Sequence, residues 1–164
     1  MIEVAYPRQV VFVTSRGIAD VMGKRLEKDN VMAASWHAPI SWDPLLYGIL
    51  ISDKRFSYKL ISGSKVFCVN FIPEKWEKEC IIVGRESGMH QDKFAKAGLK
   101  TEHCDTIDCL RLKDALGYLE CELFKEIELG DHLLLVGKVN KQWTNKEGRR
   151  LFQSDGNKFT TTRR

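Results

Sequence analysis

From Tyr118 to Leu129 apolar and acidic residues alternate almost without a break, and no other stretch constrains the fold as strongly. In an extended chain successive side chains point to opposite faces. Leu119, Cys121, Leu123, Ile127 and Leu129 would then face one way, and Glu120, Glu122, Glu126 and Glu128 the other. Phe124 and Lys125 break the pattern locally. Gly130-Asp131 makes a turn, and His132 to Val139 returns as a second strand, so the two read as a hairpin.

Further strands are expected at Val10 to Thr14, Val31 to Trp36, Leu45 to Ser52 and Val66 to Phe71. The third is nearly all apolar, the mark of a strand buried on both faces. Helical signals are shorter. Arg55 to Ile61 follows Ser52-Asp53, which can cap it. Glu74 to Val83 has Pro73 near its first turn. Asp92 to Ala97 is a short helix that Gly98 can stop. Asn145-Lys146-Glu147-Gly148 reads as a turn. Strands joined by a few short helices predict a mainly β chain, a barrel with helical excursions.

The 164 residues suit a single domain over positions 1–164, with 43% hydrophobic and 29% charged residues, a globular composition. No apolar run is long enough for a helical membrane span. Met1 to Pro7 lacks a basic region followed by an apolar core, so the expected location is cytoplasmic. The net charge of +4 comes from scattered cations, with compact pairs only at Arg149-Arg150 and Arg163-Arg164. These read as solvated surface, and no nucleic-acid-binding module surrounds them. The cysteines Cys68, Cys80, Cys104, Cys109 and Cys121 are odd in number, and none are paired at two-residue spacing. That argues against a zinc ribbon or a dithiol redox motif. Cys68 and Cys121 read as buried thiols, while Cys104 and Cys109 could share a loop. The histidines His37, His90, His103 and His132 show no metal-ligand spacing, so no metal is expected.

Five segments could carry chemistry. Ala33-Ala34-Ser35 before Trp36 is small enough to let a flat ligand reach the backbone, or merely relieves crowding. Ser52 to Tyr58 joins a buried strand to a helix N-terminus, where free N–H groups favour an anion. Arg55 adds a fork for phosphate and Ser57 a hydroxyl, unless this is only a capped surface helix. Asn70 interrupts an apolar strand and needs a partner, either backbone or ligand. Lys93, beyond the glycine-containing loop that starts at Gly84, could reach a phosphate or stay solvated. His132 opens a strand after Gly130-Asp131 and could donate to a ligand or serve structure.

In this order and spacing, the segments resemble the flavin reductase-like, FMN-binding split-barrel family, which includes flavoredoxins and archaeal ferric reductases. The resemblance runs from about Pro7 to Phe159. It rests on Asn30 to Trp36, Ser41-Trp-Asp-Pro44, Arg55-Phe-Ser-Tyr58, Phe67-Cys-Val-Asn70, Ser87-Gly to Asp92-Lys-Phe94, and Gly130-Asp-His132. It implies a six-stranded split β-barrel with short flanking helices, acting as a homodimer with FMN near the subunit interface. Ala33, Ala34, Ser35 and Trp36 would line the isoalloxazine ring. Ser52, Arg55 and Ser57 would hold the phosphate, assisted by Ser41 and Lys93. Asn70 would sit near the flavin, and His132 near the ring or the nicotinamide side. The tail around Phe152 and Phe159 would close the site. The implied activity is NADH- or NADPH-dependent flavin or ferric reduction, with free flavin, a ferric chelate or a protein as acceptor. The alternatives are an FMN-binding electron carrier and a flavin-binding module without turnover.

Overall fold

The computed structural model describes residues 2–145 and 147–162. Met1, Lys146 of the expected turn and the Arg163-Arg164 pair lie outside the described residues. The strands are β1 (Arg8–Gln9), β2 (Val11–Val21), β3 (Lys24–Ala34), β4 (His37–Trp42), β5 (Leu45–Ile51), β6 (Val66–Phe71), β7 (Thr101–His103), β8 (Leu110–Leu112), β9 (Gly117–Leu129), β10 (His132–Thr144), β11 (Leu151–Asp155) and β12 (Lys158–Thr161). The α-helices are α1 (Phe56–Ser64), α2 (Glu77–Arg85) and α3 (Lys93–Lys96).

The main sheet runs β3-β2-β6-β9-β10-β5-β4, antiparallel throughout. Its two outer strands, β3 and β4, are consecutive halves of one segment that bends at Ser35-Trp36. The Leu50 N–H donates to the Trp36 carbonyl across the bend at 2.9 Å. The sheet therefore closes on itself as a six-stranded split barrel, which leaves no free edge at the bend. Two small sheets, β1-β11-β12 and β7-β8, lie beside it.

Two apolar layers hold the barrel. Val11, Val13, Ile49, Phe67, Val69, Cys121 and Leu135 fill its interior. Val10, Phe12, Val31, Ile72, Trp76 and Val83 pack on its outer side beneath α2. β2 is buried on both faces along its first half because each layer takes alternate residues. Full burial of each such side chain contributes roughly 1.5–3 kcal/mol. Helix α1 crosses β2 at Gly17, where a Cβ would lie 2.9 Å from the Leu60 carbonyl oxygen, so only glycine allows this approach.

Several expectations are corrected. β3 starts at Lys24, well before Val31, because pairing with β2 along the whole hairpin holds its charged residues extended. Helix α1 starts at Phe56 with Arg55 as its N-cap, and neither Ser52 nor Asp53 caps it. Instead the Lys54 N–H donates to Ser52 Oγ at 3.4 Å within the preceding turn. The segment after Pro73 opens as a 3-10 turn, Glu74–Trp76, before α2 begins. In β9 the register shifts at Phe124, so Lys125 faces Val136 while Leu123 faces Gly137. This bulge reverses the alternation, and Leu129 ends 49% exposed instead of in the core. Glu120, on the face opposite Leu119 and Cys121, is 0% exposed. The 101–112 excursion folds over it. Its carboxylate accepts from the Asp105 and Thr106 N–H groups at 3.1 and 2.8 Å, from the Thr106 hydroxyl at 2.6 Å and from Arg111 at 2.8 Å. Burial opposes the charge, but these donors outweigh it and hold the carboxyl below its usual range.

Cys68 and Cys121 are buried as expected. Cys104 and Cys109 do share a loop, with Cys104 N–H donating to the Cys109 carbonyl at 2.9 Å, and all five cysteines are free thiols. Among the described residues no helix is long and apolar enough to cross a membrane.

Candidate functional site

Where β3 bends into β4, the wall of the barrel opens on a cavity of about 410 Å³. Ala33, Ala34, Ser35, Trp36, Ser52, Arg55, Ser57, Lys93 and His132 all line it. These residues come from four separate parts of the chain. The barrel closure carries the first four, the β5–α1 turn and the first turn of α1 the next three, α3 contributes Lys93, and β10 opens with His132.

The cavity has two unlike ends. At one end, the small side chains of Ala33, Ala34 and Ser35 line the cavity beside Trp36. The His132 ring lies against the Trp36 indole, with centroids 5.0 Å apart and planes inclined by 30°. His132 Nδ1 is 2.8 Å from the Asp131 carboxylate, which leaves its Nε2 for other partners. Ser35 donates to Gln153 Oε1 at 3.0 Å, tying the tail strand β11 to this wall. A second hollow of about 220 Å³, lined by Phe159 and Gln153 of the tail, shares Ala33, Ala34 and Ser35 with the first. The tail thus borders the site through Phe159 and Gln153, and Phe152 does not line either hollow.

The other end is cationic. It lies at the N-terminus of α1, whose first N–H groups have no partner in their own helix. Lys54, Arg55, Arg85 and Lys93 line it against a single carboxylate, Glu86. That carboxylate is engaged on its outer side by Lys96 at 2.7 Å and Gln91 at 2.6 Å. Lys93 is only 5% exposed. Its ammonium donates to the Val83 and Glu86 carbonyls at the end of α2, at 3.1 and 3.2 Å. An ammonium has three protons, so one remains for a ligand. Burial pushes its pKa down, Arg55 lowers it further, and Glu86 offsets part of this, leaving it at about 8. Ser57, 2% exposed, accepts from Asn30 Nδ2 at 2.7 Å.

Two expected site residues lie elsewhere. Asn70 is fully buried away from the cavity. Its Nδ2 faces the Phe12 carbonyl and the Thr14 hydroxyl, each at 3.1 Å, and its Oδ1 accepts from the Leu112 N–H at 2.8 Å. Its polar groups join β6 to β2 and to the 101–112 excursion, so its partner is protein. Ser41 sits in β4 opposite Leu46, beyond a register shift at Ile40, and does not line the cavity. Lys54, whose charge was expected beside Arg55, lines it too, and Asn30 and Arg85 line it without having been singled out as site residues. The available signal for Asn30 was its place between Asp29 and a buried Val31. Arg85 is brought in by the packing of α2, which no local pattern reveals.

A wall of small side chains beside Trp36 at one end and convergent cations and hydroxyls at the other fit a flat heteroaromatic ring joined to a phosphate. A family model described as "Flavin reductase like domain" matches residues 4–161. An uncharacterized protein of Archaeoglobus fulgidus is 31% identical over 139 residues, covering 85% of this chain and 73% of that protein. One from Pyrococcus abyssi is 32% identical over 113 residues, covering 69% of this chain, and the match spans 64% of its length. An FMN-binding protein from Thermus thermophilus, solved with bound p-hydroxybenzaldehyde, superposes with a TM-score of 0.83 at 26% identity, covering 98% of this chain and 89% of that one.

Proposed function

The chain belongs to the flavin reductase-like domain family, and on that premise we propose that it is an FMN-binding, flavin-dependent oxidoreductase that takes reducing equivalents from NADH or NADPH. One observation carries this reading: a single cavity joins the ring wall of Ala33 to Trp36 to the anion end built by Arg55, Ser57 and Lys93. The domain is read as spanning residues 1–164.

When bound, the flavin supplies hydride acceptance at N5 and onward electron transfer to free flavin, a ferric chelate or a partner protein. The chain's own residues bind and orient. Ala33 and Ala34 admit the ring against the β3 backbone. Trp36 and His132 cover it. Ser52, Arg55 and Ser57 hold the phosphate together with the third proton of Lys93 and the N-terminus of α1. No side chain of the site has to move a proton for a hydride step, which suits a cavity without a catalytic acid–base pair.

The proposed assembly is a homodimer. Trp42, 91% exposed, and Trp143 border an apolar groove that a second copy would cover. Light scattering on the FMN-bound protein tests this, and a monomer that binds FMN fully would overturn it.

The primary test is an anaerobic absorbance spectrum before and after addition of NADH and NADPH. A flavin band that bleaches with either supports the reductase. A flavin band that persists, while a reduced protein donor bleaches it, replaces the reductase with an electron carrier. A protein that takes up no FMN overturns the reading.

A further inference from the structure

Asn30 is 2% exposed, lines the cavity, and its Oδ1 is buried without a hydrogen-bond partner. An orphaned carbonyl of this kind is costly and calls for a reason. Two contacts hold the carboxamide. Its Nδ2 donates to Ser57 Oγ at 2.7 Å. Its Oδ1 fills the place of a side chain at Gly88, where a Cβ would lie 1.9 Å away. Gly88 is buried in the loop between α2 and α3, and a Cβ there would collide with the Asn30 carboxamide unless that side chain moved.

The Nδ2 bond settles which way the Ser57 proton points. Ser57 Oγ already receives a proton from Asn30, so its own proton cannot lie along the same line. Among the described residues the Asn30 bond is the one hydrogen bond that Ser57 Oγ makes. Its proton is therefore free to be given to an acceptor in the cavity. Ser57 is the second residue of α1, where the helix N–H groups face the same anion.

We propose that Asn30 is a positioning residue that holds the Ser57 hydroxyl as a donor to the ligand's phosphate, its carboxamide seated in the space that Gly88 leaves free. The inference rests on the FMN reading of the cavity. It assigns Asn30 to the phosphate, although its place on β3, three residues before Ala33, would suggest the ring.

The test compares FMN with riboflavin, which lacks only the phosphate, by titration against intrinsic and flavin fluorescence. Asn30→Ala is expected to weaken FMN binding about tenfold while riboflavin affinity stays within about twofold. In a Ser57→Ala background, Asn30→Ala should leave the FMN-to-riboflavin ratio unchanged. Equal weakening of both ligands, or an undiminished effect without Ser57, would show a structural role and overturn the proposal. Where Asn30→Ala does not fold, the near-isosteric Asn30→Asp carries the test. Its carboxylate would draw the Ser57 proton to itself, so the ratio must fall further with Ser57 present than in Ser57→Ala. A ratio that falls equally in both overturns the proposal. Wild-type protein that binds neither flavin defeats the cofactor reading itself, a result distinct from either.

Discussion

The imidazole of His132 lies against the indole of Trp36, ring centroids 5.0 Å apart, at the seam where β3 bends into β4. Trp36 also ties this bend to β5 through its carbonyl. The residue that closes the barrel is therefore the residue that walls the cavity, and the site inherits the rigidity of the sheet.

Loss of the anion end should separate FMN from riboflavin. Arg55→Ala is expected to weaken FMN binding by about 1.5–3 kcal/mol, the usual worth of a hydrogen bond to a charged group. Ser57→Ala removes a hydrogen bond to the same charged phosphate and should weaken FMN binding by a similar amount, about 1.5–3 kcal/mol. Riboflavin affinity should hardly change. Titration of both variants with both flavins checks this, and unchanged FMN affinity in both would put the phosphate elsewhere.

Lys93 predicts a pH dependence of binding. Without an anion its pKa is lowered to about 8, chiefly by burial. A bound phosphate stabilises the ammonium and raises that pKa. Above about pH 8 the free protein has lost the proton, so binding must take one up, and FMN affinity should fall as pH rises. Calorimetry in buffers of different ionisation enthalpy would detect the uptake. Lys93→Met should abolish it, and an unchanged slope in that variant would remove Lys93 from the phosphate.

Asn70→Ala should destabilise the fold without touching the flavin. It strands buried groups on Phe12, Thr14 and Leu112. Each costs about 1–3 kcal/mol when left unpaired. Chemical denaturation should show the loss, whereas FMN affinity measured well below the unfolding transition should match the wild type. A selective loss of FMN binding at full stability would return Asn70 to the site.

His37 sets an acid limit. Its Nε2 lies 3.0 Å from the Gln9 carbonyl and so carries the proton, while Nδ1, 2.7 Å from the Tyr47 hydroxyl, accepts. Burial holds its pKa below 6.5, only partly offset by the Gln9 bond. The unfolded chain then binds more protons as pH falls through about 6.5, so His37's contribution is present above that value and lost below it. Thermal melts of wild type and His37→Gln between pH 7 and 5 should show a shallower decline in the variant. Parallel curves would rule the residue out as the source.

Much of the site was legible because its parts are local. Ala33 to Trp36 and Ser52 to Ser57 each carry their chemistry within a few residues, and both line the cavity. Asn70 and Ser41 were misplaced for one reason: a polar residue in a strand shows that a partner is needed but not which one. For Asn70 the answer came from the 101–112 excursion, which folds over β6 and supplies the Leu112 N–H. The alternation likewise assigned Glu120 to a face but could not show that the same excursion covers it.

The sequence by itself determined strands β5 and β6 and the β9–β10 hairpin, the small-residue wall, and the cation and hydroxyl where the β5–α1 turn meets α1. A period of two, a run of small residues and a turn before a helix are properties of neighbours along the chain. The tertiary structure alone decided that β3 and β4 close one barrel, that the bulge at Phe124 reverses β9, that Arg85 and Lys93 meet Arg55, and that Asn30 reaches Ser57 and Gly88. Those relations depend on register and closure between distant segments. Pairing energies summed over the whole sheet select them, and no single segment records the result.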